Sequence, residues 1–357
     1  MAQLRPLQAS DYSALLDFLV AFPDEKRNRV TWSNRLAFWW DKNPAFDAAT
    51  TPRGWIVDDA GSVAGFLGNI PTWVQVGKRR VTALNSTTWR VNPEHRAQSL
   101  RLVTKLLHEG RESLVFNTTP NADVDVILKS LKFQHLPGGI AKRSIALLDA
   151  TPLLATFAPR VPARGFVAAV LRALQMVTGI PFACRNVLRG ATNLVTRELL
   201  AAGPEFDALW ERTQTRYNVT NVRDAASIHW YCFGFAEHNK VLLGCYLSDR
   251  LTGFMILNIT KGTGAALQAE CVDFWSETAD RDAILTSLVG EARRAAAARG
   301  CSFLSFPHFD EALAAHLRRR GFVSLPVVRK DFVKVGANLA APITDAYFVK
   351  LQGDYGL

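Results

Sequence analysis

The sequence lacks the long apolar runs and the biased composition that mark several large classes of protein. Nowhere do its 357 residues contain about 18 or more consecutive apolar residues, so no membrane-spanning helix is expected. The N-terminal stretch carries Asp11 and Asp17 among its apolar residues, and we do not expect it to be a signal peptide. Hydrophobic residues make up 48% and charged residues 21%, which excludes disorder for most of the chain. The length predicts two domains.

Paired cysteines and metal-binding motifs are also lacking. The five cysteines are odd in number, widely spaced and set in apolar runs; they are Cys184, Cys232, Cys245, Cys271 and Cys301. Such cysteines predict buried thiols in a reducing compartment. The sequence has no C-x-x-C, and its seven histidines form no H-E-x-x-H, so we expect no structural or catalytic metal. The expected location is the cytoplasm, and contact with the inner membrane is an open alternative.

Acidic residues and lysines are missing from one segment, residues 151–197, which carries six arginines. The formal net charge is +10, so this segment supplies most of the excess, and nucleic acid is not an expected partner. Apolar residues recur at helical spacing from Phe166 to Val177 and again from Val187 to Val195. We predict a basic amphipathic helical linker over 149–200. It can pack between two domains, rest on an anionic membrane or bind an acidic carrier protein, and these alternatives stay open.

An internal duplication with a period of about 189 residues is the most informative pattern in the sequence. The paired landmarks, which keep the same order in both halves, are Phe38-Trp39-Trp40 with His229-Trp230-Tyr231, Gly65-Phe66 with Gly253-Phe254, Asn69 with Asn258, Gly110 with Gly300, and Phe133 with Phe322. Gly110 and Gly300 each end an apolar-periodic helix, where a left-handed cap favours glycine. Matches in one order at a nearly constant offset indicate two homologous halves.

The order of predicted elements indicates an α/β fold made of two similar domains in tandem. Each half reads as two helices, three strands, a helix, a strand, a helix and further strands, as in a mixed sheet that is covered by helices. We place the first domain at 1–148 and the second at 201–335. The tail 336–357 carries one more predicted strand, Ala346 to Leu351, which can return to either sheet.

The motif that carries chemistry follows the strand that ends at Trp89-Arg90-Val91. Residues 91–103 read V-N-P-E-H-R-A-Q-S-L-R-L-V and resemble motif A of the GNAT superfamily (GCN5-related acyltransferases), V-x-P-x-x-R-G-x-G-x-G/A. Residues 121–133 and 310–322 both resemble the later helix of that superfamily. The resemblance covers both halves, so the chain resembles a tandem GNAT protein. The same arrangement is found in Fem-type aminoacyl transferases, mycothiol synthase and N-myristoyltransferases.

The resemblance implies that the donor substrate is acetyl-CoA or another acyl-CoA. A strand that leads directly into a helix leaves the first amides of that helix unpaired, and with the helix dipole these amides suit a diphosphate. Arg96 can add a charge-assisted contact, and the main chain at Val91 lies where the superfamily pairs the pantetheine arm. The implied donor-binding residues are Trp89, Arg90, Val91, Arg96, Ala97, Gln98, Ser99, Leu100, Arg101 and Asn121.

This sequence departs from the superfamily pattern in the loop and at two catalytic positions. The loop glycines are replaced by Ala97, Ser99 and Arg101. The positions of the glutamate base and the tyrosine acid hold Asn85 and Leu128, neither of which exchanges a proton. Acyl transfer does not require a strong acid, because a thiolate with a pKa of about 8.5 leaves readily.

Three polar residues on the strand before the loop are the catalytic candidates. Asn85, Ser86 and Thr88 could hold a water that accepts the proton of the attacking amine. A backbone amide near Val91 could stabilise the oxyanion.

The second half lacks the loop. Its corresponding strand runs into Glu277 and Asp280, which would repel a diphosphate. We therefore assign coenzyme binding to the first half and expect the second half to shape the acceptor site. The acceptor-binding candidates are His229, Glu270 and Asp273.

The sequence thus predicts an acyl-CoA-dependent N-acyltransferase, most simply an N-acetyltransferase. Its expected acceptor is the amine of a small molecule or an amino sugar, which attacks the thioester directly in the cleft between the domains. One alternative is an inactive tandem scaffold that binds a membrane or a protein partner. Another is a long-chain acyl or aminoacyl transferase of the Fem type, with a carrier protein or charged tRNA docked on residues 151–197.

Overall fold

A computed structural model describes most of the chain. The described residues are 2–136, 142–152, 165–166, 169–170, 173, 193–237, 239–262, 266–328, 330–339, 343 and 345–351. Most of the predicted basic linker, including its arginines at 160, 164, 172, 185 and 189, lies outside these residues, as does Cys184. None of the helices in the described ranges is long and apolar enough to cross a membrane.

The described residues form sixteen strands and eight α-helices. The strands are β1 (Gln3–Pro6), β2 (Gly54–Asp59), β3 (Ser62–Val76), β4 (Arg79–Val91), β5 (Leu114–Asn117), β6 (Gln134–His135), β7 (Lys142–Leu147), β8 (Leu194–Leu199), β9 (Val219–Asn221), β10 (Lys240–Leu247), β11 (Arg250–Lys261), β12 (Leu267–Ser276), β13 (Cys301–Pro307), β14 (Val323–Pro326), β15 (Phe332–Val335) and β16 (Ala346–Tyr347). The helices are α1 (Tyr12–Val20), α2 (Arg29–Leu36), α3 (Ser99–Glu109), α4 (Ala122–Ser130), α5 (Pro204–Thr213), α6 (Ala225–Phe233), α7 (Arg281–Ala298) and α8 (Glu311–Arg318).

The strands form two mixed sheets built on one plan. The first sheet has the order β1-β2-β3-β4-β5-β15-β6, with β9 beside β3 and β16 beside β9. The second has the order β14-β7-β13-β12-β11-β10-β8. Most pairs are antiparallel; the parallel pairs are β4 with β5 and β9 with β16 in the first sheet, and β12 with β13 in the second. The predicted α/β class and the tandem of two similar halves are confirmed.

The central strand β3 shows why these sequences form covered sheets. Nearly all of its fifteen residues are buried, as expected when helices pack on both faces. Neighbouring residues on β2 point to opposite faces. Ile56 joins the core under α1, whereas Val57 joins the core under α3. The α3 helix buries its apolar stripe, Leu102, Val103 and Leu106, against that second core.

Each sheet takes strands from the other half of the chain, and β9, from the predicted second domain, pairs with β3 of the first sheet. β7 lies between β13 and β14 of the second sheet, and β15 lies between β5 and β6 of the first. The predicted ranges 1–148 and 201–335 therefore do not contain the two sheets strand for strand. The exchange is physically reasonable because the two sheets are similar, and each has an equivalent position beside its parallel pair that a strand from either half can occupy. As a result, each sheet depends on both halves of the chain.

Two further predictions about connecting segments need correction. Leu194–Leu199, placed in the helical linker, forms the edge strand β8 beside β10, with the Arg197 guanidinium 4.6 Å from the ring centroid of Tyr246. Gly110 ends α3 with a φ of −76°, not in the left-handed conformation; Gly300, with a φ of +70°, fulfils that prediction. At Gly110 a Cβ would come within 2.2 Å of the Val115 side chain, so close packing is what requires glycine there.

The two matched aromatic clusters meet at the contact between the halves. The rings of Phe38 and Trp230 stack with centroids 4.9 Å apart, and the Trp230 indole N–H donates to the carbonyl of Phe38 at 2.8 Å. Trp39 and Trp40 are also fully buried in this core. The tail strand β16 pairs with β9 and so reaches the first sheet, which settles the alternative left open by the sequence.

Candidate functional site

The parallel strands β4 and β5 pair only briefly and then separate. Their register includes Leu84 with Val115 and Asn85 with Phe116. At the next residue the Ser86 hydroxyl donates to the carbonyl of Phe116 at 3.1 Å and accepts from the Asn117 amide at 2.9 Å. Past this point the described residues contain no further β4–β5 pairing, although β4 stays paired with β3 as far as Val91. We call this opening the first fork; Ser86 and Asn117 close its base.

A bulge bends β4 at the first fork. In the β3–β4 register Phe66 lies opposite Arg90 and Gly68 opposite Thr87, so Thr88 and Trp89 together oppose one residue. Thr88 has a φ of +50°, which a β-branched residue adopts only under strain. Such bulges redirect a strand, and this one leads β4 away from β5.

Two polar atoms at the first fork are buried without a hydrogen-bond partner. Within the described ranges these are the indole nitrogen of Trp89 and the Asn117 side-chain oxygen. A buried donor or acceptor left in this way is costly unless a ligand or water satisfies it.

The turn after β4 is more ordered than a glycine-rich loop. Pro93–Gln98 forms a 3₁₀ turn that runs into α3, and the His95 amide donates to the carbonyl of Asn92 at 2.9 Å. The Ser99 amide donates to the carbonyl of Arg96, and the His95 ring lies 3.2 Å from Asp59. The amides of His95 and Ser99 already bond carbonyls within the turn. A diphosphate here would therefore depend more on arginine side chains than it does in the glycine-rich loop of the superfamily.

The predicted donor-binding residues divide into three groups. Arg96, Ala97, Leu100 and Arg101 are exposed at the start of α3, and the Arg101 guanidinium donates to Gln98 at 2.7 Å. Arg90 is engaged elsewhere, because it bonds Asp24 at 3.0 Å and lies 3.4 Å from Glu25. Asn121 caps α4 by accepting from the Val124 amide at 2.9 Å. Arg96 and Arg101 are therefore both exposed near the start of α3, whereas Arg90 is paired with carboxylates of the α1–α2 connection.

The catalytic candidates on β4 have structural contacts. The Asn85 side chain is buried, and its amide group donates to the carbonyl of Ile70 at 2.7 Å and to the Thr72 hydroxyl at 2.9 Å. Both hydrogen bonds connect β4 to β3, so the Asn85 side chain is not placed to relay a proton from the acceptor amine. Ser86 closes the fork and Thr88 forms the bulge. Leu128, at the position of the superfamily tyrosine, is buried in the core.

Of the acceptor candidates, Asp273 and His229 do not line a cleft. Asp273 is fully buried and accepts from the Arg223 guanidinium at 2.7 and 3.3 Å. Burial raises the pKa of Asp273, and Arg223 opposes that shift. His229 is exposed on α6 beside Phe233, neither packed in the core nor facing a cleft. The surrounding Trp230 and Tyr231 are buried.

Glu270, in contrast, lines a cavity of about 660 Å³. Here β12 and β13 pair as far as Glu270 with Ser305 and then separate, which repeats the geometry of the first fork. We call this opening the second fork. Thr118, Thr119 and Pro120, which follow β5, close one side of it. Sequence reasoning missed three cations in its wall, Arg143, Lys330 and Lys350, because no local motif links such distant residues.

The described ranges also bear on metal binding and thiol chemistry. They contain no group of three or more His, Cys, Asp or Glu side chains placed to hold a metal ion. The described cysteines, Cys232, Cys245, Cys271 and Cys301, are buried and free, as predicted for them. Burial raises the pKa of Cys232 to about 12, so this thiol stays protonated at neutral pH and is a poor nucleophile.

Comparison with solved structures identifies the fold. A conserved Enterococcus faecalis protein named as a probable N-acyltransferase superimposes with a TM-score of 0.61 at 9% identity, over 95% of this chain and 73% of that one. A GCN5-related N-acetyltransferase from Anabaena variabilis gives 0.57 at 10% identity, over 94% and 73%. Saccharomyces cerevisiae N-myristoyltransferase with bound myristoyl-CoA gives 0.53 at 11% identity, over 93% and 82%.

These similarities extend over nearly the whole chain, so both halves take part in them. The chain has the GNAT fold, in a tandem arrangement of two related sheets. No family model matches the sequence, and no curated protein matches it. At such low identity the likeness concerns the fold and leaves the reaction to be argued from the site.

Proposed function

We propose that this protein is an acyl-CoA-dependent N-acyltransferase whose donor site is the first fork. The observation that carries the proposal is the separation of β4 from β5 beyond Ser86, which leaves one edge of β4 available over Thr87 to Val91. An extended pantetheine arm can pair with such an edge as an added strand. Trp89 on β4 and Asn117 on β5 each keep a buried polar atom that has no hydrogen-bond partner among the described residues and that an amide of the arm could satisfy.

The exposed cations at the start of α3 support the diphosphate end of this donor site. Arg96 and Arg101 lie one and a half turns apart on a continuous helical segment and carry charge toward solvent. The N-terminal end of α3 adds the favourable field of its dipole. Arginine binds phosphate through two parallel hydrogen bonds, which compensates for loop amides that are used internally.

The reaction requires little acid–base help from the protein. The amine attacks the thioester carbon, the carbon–sulphur bond breaks, and coenzyme A leaves as a thiolate. A well-aimed neutral amine gains several kcal/mol from positioning alone. The nitrogen loses its proton to solvent, because Asn85 is bonded inward and cannot relay it.

The acceptor that we propose is the amine of a small molecule, an amino sugar among the candidates. Of the three acceptor candidates, Glu270 is the one that lines a cavity, the second fork. We place the protein in the cytoplasm. Phe166 and Val170 are helical and exposed, which supports a role of residues 151–197 in contact with an anionic membrane or an acidic carrier protein.

Calorimetric titration with acetyl-CoA, octanoyl-CoA and myristoyl-CoA tests the donor site. We expect heat with at least one of them, and a loss of affinity of about tenfold or more in Arg96→Glu and Arg101→Glu, because each reversal places a negative charge beside the diphosphate. Arg294→Glu, on the exposed face of α7, is the matched control and should bind as the parent does. Absence of heat with all three thioesters contradicts the proposal.

A second candidate function is acyl-CoA binding without turnover. It is favoured by the burial of Asn85 and Leu128 at the positions where the superfamily places acid–base groups. Release of free coenzyme A thiol in the presence of a panel of amines separates the two functions. Binding accompanied by thiol release supports the transferase; binding with no release above the hydrolysis rate supports the second candidate.

A further inference from the structure

The second fork contains a cavity that the donor-site proposal does not use. Its volume of about 660 Å³ lies within the range of small-molecule sites. The wall is built from segments far apart in sequence: Arg143 on the exchanged strand β7, Glu270 on β12, Lys330 and Asp331 before β15, and Lys350 after β16. Strand exchange is therefore what brings Arg143 and Asp331 to one opening.

The charged side chains of this wall do not balance. Three cations, Arg143, Lys330 and Lys350, stand against two carboxylates, Glu270 and Asp331, which leaves one excess positive charge. Burial lowers the pKa of Lys350; Glu270 and Asp331 oppose that shift, and Lys330 and Arg143 add to it. One additional negative charge in the cavity would balance the charges of the wall.

The Arg143 guanidinium is the group best placed to receive that charge. Its Nε is buried and has no hydrogen-bond acceptor among the described residues. A buried charged donor without an acceptor is costly, and a carboxylate satisfies a guanidinium through two parallel hydrogen bonds.

Much of the remaining lining is apolar, apart from Thr118 and Thr119. Val272, Pro307, Phe309, Pro326, Val327 and Val328 form much of its lining. Cys271 adds a fully buried thiol whose pKa burial raises well above its usual value, so it contributes a neutral surface. Removal of apolar ligand surface from water in such a lining is favourable in proportion to the area buried.

We propose that the second fork is a binding site for a monocarboxylate with an apolar body, held by Arg143 with Lys350 beside it. A dianionic head such as a phosphate monoester would leave an excess negative charge next to Glu270 and Asp331, and an ammonium head would meet the three cations. This cavity opens at the fork of the second sheet, whereas the proposed acyl-CoA site lies at the fork of the first sheet, so variants of the two sites can be tested separately.

Calorimetric titration of the full chain with sodium octanoate, octylamine and octyl phosphate tests the head group. We expect octanoate to bind more tightly than either of the others, and affinity to rise about two- to fourfold per methylene from butanoate to octanoate. Arg143→Gln should weaken octanoate binding about tenfold or more, since it removes a charge-assisted contact. Equal or tighter binding of octylamine or octyl phosphate overturns the proposal.

Matched variants locate the binding. Lys350→Gln should also weaken octanoate binding, and it serves as a second variant if Arg143→Gln fails to fold by circular dichroism. Arg294→Gln, on the exposed face of α7, should bind octanoate as the parent does. Arg96→Glu should keep octanoate affinity while losing that for acyl-CoA; loss of octanoate binding in Arg96→Glu would place the ligand in the first fork and refute a second site.

Discussion

The buried pair of Arg223 and Asp273 offers a sharp test of structural against catalytic roles. Both side chains have no solvent exposure. The guanidinium bonds the carboxylate, the Thr220 hydroxyl and the carbonyl of Asn221, and lies 4.2 Å from the ring centroid of Trp275. Asp273→Asn removes the charge opposite Arg223 and leaves a buried cation with neutral partners. Breaking such a pair costs about 3–5 kcal/mol of the free energy of unfolding.

The expected thermal shift follows from the size of the chain. If its 357 residues unfold together, the unfolding entropy is roughly 0.75 kcal/mol/K, and a loss of 3–5 kcal/mol lowers the Tm by roughly 4–7 °C. Differential scanning calorimetry measures this directly. Asp249→Asn, in the exposed β10–β11 turn, is the control and should change the free energy by no more than about 0.5 kcal/mol.

A double variant distinguishes an ion pair from two independent residues. Arg223→Met with Asp273→Leu removes both charges, and we expect it to be less destabilised than Asp273→Asn, because no buried charge is left uncompensated. An Asp273→Asn protein with an unchanged Tm but an increased KM for the acceptor would refute the structural assignment and restore Asp273 as an acceptor contact.

Three further perturbations test the fold. The Lys240 ammonium is buried without a hydrogen-bond partner among the described residues, 4.5 Å from the ring centroid of Tyr231, and burial lowers its pKa from 10.5 to about 7. The unfolded chain therefore binds more protons than the folded chain between about pH 7 and 10, and stability rises over that window. Lys240→Met should be more stable than the parent at pH 7 and lose this rise, as urea denaturation would show against Lys261→Met. Thr88→Gly should raise the free energy of unfolding by up to about 1 kcal/mol by relieving the positive φ, whereas Thr87→Gly should lower it. Fragments 1–200 and 201–357 should fold when co-expressed but not separately, as pull-down and circular dichroism would show. The reason is that the second sheet takes β7 and β8 from the first fragment, and the first sheet takes β9, β15 and β16 from the second.

Each of these expectations has an outcome that contradicts it. A Lys240→Met protein with the pH dependence of the parent would mean that another group titrates in that window. Equal effects of Thr88→Gly and Thr87→Gly would remove the argument for strain at the bulge. Independent folding of either fragment would show that the exchanged strands are dispensable.

The predictable part of the site is the part encoded by local sequence. The turn after Val91 was placed correctly because a strand, a proline and an apolar-periodic helix follow one another directly, and α3 begins within that motif. Asn85 was placed on the correct strand, but its side chain turned out to be bonded inward. Periodicity predicts the face of a strand on which a residue lies. It does not predict which neighbouring groups form hydrogen bonds with the side chain of that residue.

The second fork could not be predicted, since it depends on contacts between distant segments. Arg143 lies on β7 and Lys330 directly before β15, the two strands that pair in the sheet of the other half. The local sequence around each strand does not indicate which sheet it joins. The prediction for Asp273 was wrong for the same reason. Its carboxylate pairs with Arg223, fifty residues away in the sequence, and only the folded structure shows that this carboxylate already has a partner.

The sequence by itself determined the α/β class, the duplicated plan and the position of the strand-to-helix turn, because apolar spacing and the glycines at close contacts report local geometry. Tertiary structure alone decided which sheet each terminal strand joins, which polar groups are already bonded and where the cavity opens. Long-range contacts decide which of two similar sheets a strand joins, and the sequence of the strand alone does not identify its pairing partner.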